Sequence, residues 1–199
     1  MNLKDKVVLV TGSGSGIGRK TSLVCAEYGA TVIALDINEE AAKLTEKMII
    51  DADGTAMAAK ADITDRVQVH TVIEDVIARF KKIDVLVNNA GSTRLGTMVD
   101  LEDSTYDFII NLNMKGPFIM STEVAKVMIP RRSGRIINIT SYCAVRGEFA
   151  NAPYCMAKAG IKMMTQVQAL ELGQYGISAV AIAPGDTNTE LLQDAFRKR

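Results

Sequence analysis

The apolar residues of this chain fall into short runs that are separated by longer stretches with helical spacing. Six runs of four to seven residues predict strands, at Val7–Val10, Thr31–Leu35, Ala56–Ala59, Ile83–Val87, Arg135–Ile139 and Ile177–Ala183. Because these runs are largely continuous and do not alternate strictly with polar residues, they are typical of strands covered on both faces, as in a parallel sheet.

The stretches between these runs predict five helices, at Gly16–Tyr28, Glu39–Asp51, Asp65–Phe80, Leu101–Met128 and Ala152–Tyr175. In the third, apolar residues recur every three or four positions, which places them on one helical face. Alternating strands and helices imply right-handed crossovers and a doubly wound parallel α/β sheet. Neither a low-complexity linker nor a repeat interrupts the series, so we expect a single domain over residues 1–199.

The last predicted strand, Ile177–Ala183, is unusually apolar for the open edge of a sheet. An uncovered edge of this kind would pair with other chains. We therefore expect a further strand after residue 199, a partner chain or a rearranged tail to cover it, and we interpret the sequence as cut short.

Composition narrows the function classes. The 199 residues include 48% hydrophobic and 23% charged residues, and 23 basic side chains balance 23 acidic ones. Because no basic run alternates with aromatic residues, neither a nucleic-acid nor a membrane partner is expected. The three cysteines, Cys25, Cys143 and Cys155, are widely spaced and suggest no metal site and no disulfide framework, which favours a cytoplasmic location.

A glycine-rich segment, Thr11-Gly12-Ser13-Gly14-Ser15-Gly16-Ile17-Gly18, follows the first predicted strand directly. Glycines at Gly12, Gly16 and Gly18 would let the backbone turn tightly and approach a pyrophosphate without a Cβ in the way. The helix that begins near Gly16 would offer free N–H groups and its positive dipole end to that anion. The segment therefore predicts a dinucleotide-binding loop.

Asp36 ends the second predicted strand, where a carboxylate can accept hydrogen bonds from the adenosine ribose hydroxyls. The same negative charge would repel a 2′-phosphate. Neither Ile37 nor Asn38 supplies a cation, and the glycine loop contains none. These residues favour NAD over NADP.

Tyr154 and Lys158 are four residues apart in a predicted helix, so their side chains share one face. A neighbouring ammonium should stabilise the phenolate and lower the pKa of the tyrosine, which would allow proton exchange with a substrate hydroxyl. Ser141 ends the fifth predicted strand, and Asn88-Asn89-Ala90-Gly91 ends the fourth. Ligands of α/β proteins bind at these carboxyl ends.

Together, these motifs resemble the short-chain dehydrogenase/reductase family, and the likeness extends from Lys6 to about Leu192. The matching features are Thr11-Gly12-x-x-x-Gly16-x-Gly18, Asp36, Asp62-Ile63, Asn88-Asn89-Ala90-Gly91, Asn113-x-x-Gly116, Ser141, Tyr154-x-x-x-Lys158 and Pro184-Gly185. The resemblance implies a Rossmann fold with strand order 3-2-1-4-5-6, although the family's last strand is missing from this sequence.

The resemblance also implies roles for individual residues. Tyr154 would be the general acid/base, Lys158 would acidify it and hold the nicotinamide ribose, Ser141 would bind the substrate oxygen, and Asn113 would hold a water that links Lys158 to solvent. Residues expected to bind the cofactor are Gly12, Ser15, Gly16, Ile17, Gly18, Asp36, Asp62, Ile63, Asn89, Ala90, Gly91, Tyr154, Lys158, Pro184, Gly185, Thr187 and Thr189.

Three functions remain open at this point. The first is an NAD-dependent dehydrogenase acting on a secondary alcohol or ketone, and the second is an NADPH-type reductase of 3-oxoacyl thioesters on acyl carrier protein. The third is a non-catalytic nucleotide-sensing protein on the same fold. Asp36 argues against the second, and the intact Ser141, Tyr154 and Lys158 set argues against the third. By resemblance, we expect a homotetramer or homodimer.

Overall fold

The computed structural model describes residues 2–185 and residue 187. Its six parallel strands form one sheet in the order β3-β2-β1-β4-β5-β6. Their bounds are β1 Val7–Thr11, β2 Thr31–Asp36, β3 Thr55–Lys60, β4 Val85–Asn88, β5 Gly134–Ile139 and β6 Ile177–Ile182. The predicted fold class and strand order are therefore confirmed.

Helices cover both faces of this sheet. Their bounds are α1 Gly16–Glu27, α2 Glu39–Ile50, α3 Arg66–Phe80, α4 Asp103–Ile110, α5 Gly116–Met128 and α6 Ala152–Gly173. Among the described residues, none of these helices has the length and apolar character needed to cross a membrane.

The core divides into two layers because successive side chains of a strand point to opposite faces. In β1, Val7 and Leu9 pack with the apolar residues of α3 and α5. Val8 and Val10 belong to a second cluster, which lies on the side of α1 and α2. All four side chains are at most 4% exposed, so β1, one of the two middle strands, is covered on both faces.

The predicted helix Leu101–Met128 is wrong as a single element. The chain forms α4, then a π-helical turn at Asn111–Lys115, and then α5. Pro117 explains the break, because it has no N–H to donate to the carbonyl of Asn113 four residues earlier. The preceding Gly116 N–H bonds instead to the carbonyl of Asn111, five residues back.

The outer edge of the sheet is formed by β6, which pairs only with β5 within the described part of the chain. Val180 and Ile182 are 42% and 50% exposed. The expectation that another segment covers this edge stays a prediction, since no described strand lies there.

Asp84, just before β4, bonds to the start of β1 and to two basic side chains. Its Oδ2 accepts from the backbone N–H of Val7 at 2.9 Å, and its carboxylate pairs with Lys82 at 3.0 Å and Arg131 at 3.1 Å. Burial alone would raise the pKa of Asp84, but the bond from Val7 and the two cations outweigh it and hold the pKa below its ordinary value.

Replacement of Asp84 by asparagine should lower the free energy of unfolding at neutral pH by about 1–3 kcal/mol, because the buried carboxylate loses two charge-assisted bonds. The lowered pKa means that this stabilisation is present above the pKa of the unfolded carboxyl and disappears as the pH falls through the folded pKa. Urea denaturation of both proteins from pH 7 to pH 3 measures the effect. A constant difference across that range would contradict the ion-pair explanation.

Candidate active site

A cleft of about 510 Å³ opens at the carboxyl ends of the central strands. This is the point at which the strand order reverses between β1 and β4, where ligands bind in open α/β sheets. The predicted site residues that line it are Gly12, Ser15, Gly16, Ile17, Asp36, Asp62, Ile63, Asn89, Ala90, Gly91, Ser141, Tyr154, Lys158, Pro184, Gly185 and Thr187. Thr189 lies outside the described residues.

The glycine loop forms one wall of the cleft. Gly12 and Gly16 have φ values of +65° and +50°. Residues other than glycine rarely adopt this left-handed backbone conformation. Gly18 does not line the cleft. A Cβ at Gly18 would collide with the carbonyl oxygen of Gly12, so this glycine lets α1 pack closely beneath the loop.

The start of α1 opens onto the cleft without a side-chain cap. Ser15 is the N-cap residue, but its side chain accepts no capping hydrogen bond, and the first turn contains no acidic residue. The unpaired N–H groups of such a helix start favour an anion. The loop and helix therefore fit a pyrophosphate.

Thr11 and Asn89 fasten this loop to the end of β4. Asn89 Nδ2 donates to the carbonyls of Thr11 and Gly12 at 3.0 and 3.2 Å. Thr11 Oγ1 in turn accepts from the backbone N–H groups of Asn89 and Ala90, both at 3.0 Å. Asn89 thus fixes the position of the glycine loop relative to the end of β4.

At the other end of the glycine loop, Asp36 accepts from the backbone N–H of Gly14 at 2.8 Å and from that of Asn38 at 2.9 Å. The carboxylate is therefore oriented by the backbone before any ligand binds. Arg19, which belongs to none of the sequence motifs, folds its guanidinium back onto the carbonyl of Gly14 and donates to Thr45 Oγ1. Arg19 does not line the cleft.

Ser141, Tyr154 and Lys158 meet on the opposite wall. Ser141 caps a 3₁₀ turn, Tyr142–Ala144, and its hydroxyl lies near enough to Tyr154 to lower the pKa of the phenol. The Lys158 Nζ lies 5.5 Å from the centre of the Tyr154 ring and donates to the carbonyl of Ile139 at 2.9 Å. The one-turn spacing in α6 therefore brings phenol and ammonium together as predicted.

The expected acidic phenol is a wrong prediction for the chain as it stands. Burial raises the pKa of Tyr154 to about 12, and the hydrogen bond from Ser141 offsets only part of that rise. Burial lowers the pKa of Lys158 to about 8. The reason is that both groups are withdrawn from water, which penalises the charged form of each.

Asn113 lies behind the cleft and not on its surface, in the π-helical turn. It is fully buried, and its Nδ2 donates to the carbonyls of Ser92 and Ile109 at 2.8 and 2.9 Å. Its Oδ1 has no hydrogen-bond partner among the described residues. A Cβ on Gly91 would lie 2.6 Å from that oxygen and 3.5 Å from Lys158 Nζ, so the oxygen and the ammonium flank one small space.

Comparison with known proteins decides the family. The family model described as short chain dehydrogenase matches residues 6–199. The chain is 39% identical to 3-oxoacyl-[acyl-carrier-protein] reductase of Thermotoga maritima (97% of this chain, 78% of that protein), and 39% identical to galactitol 2-dehydrogenase of Agrobacterium fabrum (96% and 73%). The structure of NAD⁺-bound xylitol dehydrogenase superposes with a TM-score of 0.91 at 33% identity, covering 93% of this chain and 72% of that one.

The chain belongs to the short-chain dehydrogenase/reductase family. Members are oxidoreductases that act on alcohols and ketones with nicotinamide cofactors. The short-chain dehydrogenase fold therefore accounts for the glycine loop, the uncapped helix and the cleft in one arrangement.

Sequence reasoning missed the polar end of this dehydrogenase cleft. Thr93, Glu148 and Asn151 line it together with Cys143, although none of these three belongs to the motifs that suggested the family. The signal that could have found these three residues is their position: Thr93 follows Asn88-Asn89-Ala90-Gly91, and Glu148 and Asn151 lie between Ser141 and Tyr154 in the sequence.

Proposed function

We propose that this protein is an NAD-dependent oxidoreductase that transfers a hydride between nicotinamide and the carbon of a secondary alcohol or ketone. The observation that carries the proposal is the convergence of Ser141, Tyr154 and Lys158 on a cleft whose other wall is the glycine loop. The proton-transferring groups and the anion-binding helix start thus face one space.

The cofactor fits the residues that are present. Gly12, Ser15, Gly16 and Ile17 would hold the pyrophosphate, and Asp36 would hold the adenosine ribose. Asp62 and Ile63 would flank the adenine, while Asn89, Ala90 and Gly91 would line the middle of the cleft. Pro184, Gly185 and Thr187 would contact the nicotinamide end. When bound, the nicotinamide ring supplies or accepts the hydride.

The protein's own task is then to move a proton and stabilise charge. In ketone reduction, Tyr154 donates its proton to the developing alkoxide while Ser141 hydrogen-bonds the same oxygen. Tyr154, whose pKa burial raises to about 12, is protonated at neutral pH, so it holds the proton that ketone reduction requires. Lys158 and Asn113 would connect the phenol to solvent through a water in the small space beside Gly91.

Charge supports NAD over NADP. The side chains that line the described cleft include the carboxylates of Asp36, Asp62 and Glu148, and Lys158 is the only lysine or arginine among them. Lys158 belongs to the catalytic wall. A 2′-phosphate beside Asp36 would therefore meet a carboxylate and gain no cation from the cleft wall.

A second candidate is an NADPH-type 3-oxoacyl-thioester reductase, which is the printed activity of a relative 39% identical to this chain. It would use the same Ser141, Tyr154 and Lys158. Asp36 and the scarcity of cations in the cleft count against it. A purely nucleotide-sensing role has less support, because such a protein would not need the complete set of proton-transferring side chains.

We also propose that the enzyme assembles as a homotetramer or homodimer through α5 and α6. These helices carry exposed apolar side chains, at Phe118 (52%), Met163 (58%), Val167 (42%) and Leu170 (81%). Exposed apolar groups of this number favour contact with another chain.

A cytoplasmic location is our further proposal. It is supported by Cys25, Cys143 and Cys155, all of which are free thiols. A reducing compartment keeps thiols in this state.

Tyr154→Phe should reduce the turnover number by at least about a hundredfold, because general acid/base catalysis is typically worth that much. NADH binding, followed by fluorescence titration, should stay within about threefold, since the ring still packs in the cleft. Tyr175→Phe, two residues after the end of α6, is the matched control and should be as active as the unchanged enzyme. Full activity of Tyr154→Phe would refute the proton-transfer role.

Asp36→Ala should raise the ratio of kcat/KM for NADP to that for NAD by about tenfold or more, which corresponds to roughly 1.4 kcal/mol of removed repulsion and lost ribose bonding. Glu40→Ala removes an equal charge from a side chain that is 84% exposed, and it should leave the ratio unchanged. If both variants keep the original ratio, Asp36 does not select the cofactor.

Sedimentation velocity should give a mass two or four times that of the 21.5 kDa chain. Phe118→Asp combined with Leu170→Asp should shift the protein toward monomer, because two charges would enter an apolar contact. The control is Glu171→Asp, a conservative change at an exposed residue of α6. A monomer for the unchanged protein at micromolar concentration would contradict the assembly.

A further inference from the structure

The carboxyl end of β5 holds α6, the helix that carries Tyr154 and Lys158. The Thr140 hydroxyl, directly after the strand, donates to the backbone carbonyl of Lys158 at 3.1 Å. The carbonyl of Ile139, the last residue of the strand, accepts from the Lys158 ammonium at 2.9 Å. Both the backbone and the side-chain end of Lys158 are therefore bonded to the same strand end.

Asn138 attaches this strand to a second point on α6. Its Nδ2 donates to Thr165 Oγ1 and to Gln168 Oε1, both at 2.8 Å. Thr165 follows Lys158 by about two helical turns, so the two side chains lie on one face of the helix. Two attachments on one face fix both the rotation of α6 about its axis and its position along β5.

The position of Asn138 is fixed by its neighbours on the other side. Its Oδ1 accepts from Asn88 Nδ2 in β4 at 2.8 Å, and the same Nδ2 donates to Ser121 Oγ in α5 at 2.8 Å. All three residues are at most 4% exposed, and a buried polar group that loses its partner is costly. This row of bonds therefore ties α5, the helix that follows Asn113, to the strand that holds α6.

Lys158 needs such support because burial opposes its charge. The residue is 4% exposed, and burial lowers the pKa of its ammonium to about 8. A lysine side chain is long and flexible, and its charged end turns toward water where the surroundings allow. The Ile139 carbonyl and the space beside Asn113 Oδ1 can hold the ammonium only while α6 keeps its rotation.

We infer that Asn138 and Thr140 are positioning residues, which hold α6 in the rotation that places the Lys158 ammonium beside both the Tyr154 ring and the space next to the Asn113 amide oxygen. Both act through Lys158, because their donor groups are already used in bonds to α6. The inference rests on the proposed function, since that function requires the phenol, the ammonium and the amide to share one space.

A matched pair of double variants tests the inference in the full chain without cofactor. Thr140→Val with Thr165→Val removes one hydroxyl from each attachment, whereas Thr140→Ser with Thr165→Ser keeps both hydroxyls and removes only methyl groups. The readout is the carbon-13 chemical shift of Lys158 Cε from about pH 6 to about pH 10, assigned by its absence from Lys158→Met. Tyr154 and Cys143 stay neutral across this range, because burial raises their pKa values to about 12 and about 11.

Lys158 should titrate near pH 8 in the unchanged protein, as its buried position implies. The valine pair should raise this pKa by at least about 0.5, because a loosened α6 lets water reach the ammonium and favours its charged form. The serine pair should keep the pKa within about 0.2 of the unchanged value. Thr71→Val is the control, because it removes a similar bond from an exposed hydroxyl of α3 to the carbonyl of Val67 at 3.1 Å, and it should not alter the titration.

Kinetics give a second readout. With cyclohexanol as the probe alcohol, the pH at which kcat for NAD⁺ reduction is half-maximal should rise in the valine pair by about the same amount, since that pH reports the coupled Tyr154 and Lys158 groups. The serine pair should restore the original profile. Circular dichroism checks that each variant is folded.

Thr140→Val alone serves if the valine pair does not fold. The Lys158 carbonyl still accepts from the backbone of α6 in that variant, so it stays paired, and a smaller rise in the same direction is expected.

An unchanged Lys158 titration in the valine variants would overturn the inference, and so would an equal rise in the serine pair. If the titration moves as expected in a protein that oxidises no alcohol, the proposed function fails and the positioning of Lys158 stands. If the enzyme is active and the titration does not move, the proposed function stands and the inference fails.

Discussion

The close approach of the glycine loop to the end of β4 is the constraint on which the rest of the cleft depends. A Cβ at Gly12 would lie 2.8 Å from the Cα of Ala90, so the two backbones meet with no room for a side chain. Thr11 and Asn89 then bond across the junction. Because this contact fixes the two central strand ends relative to each other, it also fixes the distance between the anion-binding helix start and the catalytic wall.

The strands of the sheet could be predicted because a strand that is buried on both faces needs a continuous run of apolar residues. Even the weak Ala56–Ala59 run proved to be the centre of β3. The interruption before α5 was missed since hydrophobic spacing continues through it, although Pro117 was visible and cannot donate the bond that a continuous helix requires. At this point the missing N–H of Pro117 decided the backbone conformation, although the hydrophobic spacing favoured one continuous helix.

The candidate site was predictable only in part, for a different reason. Motif spacing located Ser141, Tyr154 and Lys158, and helical geometry placed two of them on one face. The direction of the Tyr154 pKa shift could not be read from spacing, because it depends on how much water the folded chain removes from the phenol. Likewise, the position of Asn151 and Glu148 in the cleft could not be predicted, because it depends on a hydrogen bond from Thr93, which is distant in the sequence.

The π-helical turn limits which substitutions the segment between β4 and β5 can accept. One extra residue in a helix rotates everything after it by about 100°, so α4 and α5 are out of phase across Asn111–Lys115. Regularising that turn would require the replacement of Pro117, and it would swing Asn113 away from Gly91 or turn the buried Met120 and Val124 off the sheet. The turn therefore lowers the local stability of the helix but holds the buried amide of Asn113 in one orientation. Substitutions that made the helix regular here would displace that amide from the back of the cleft.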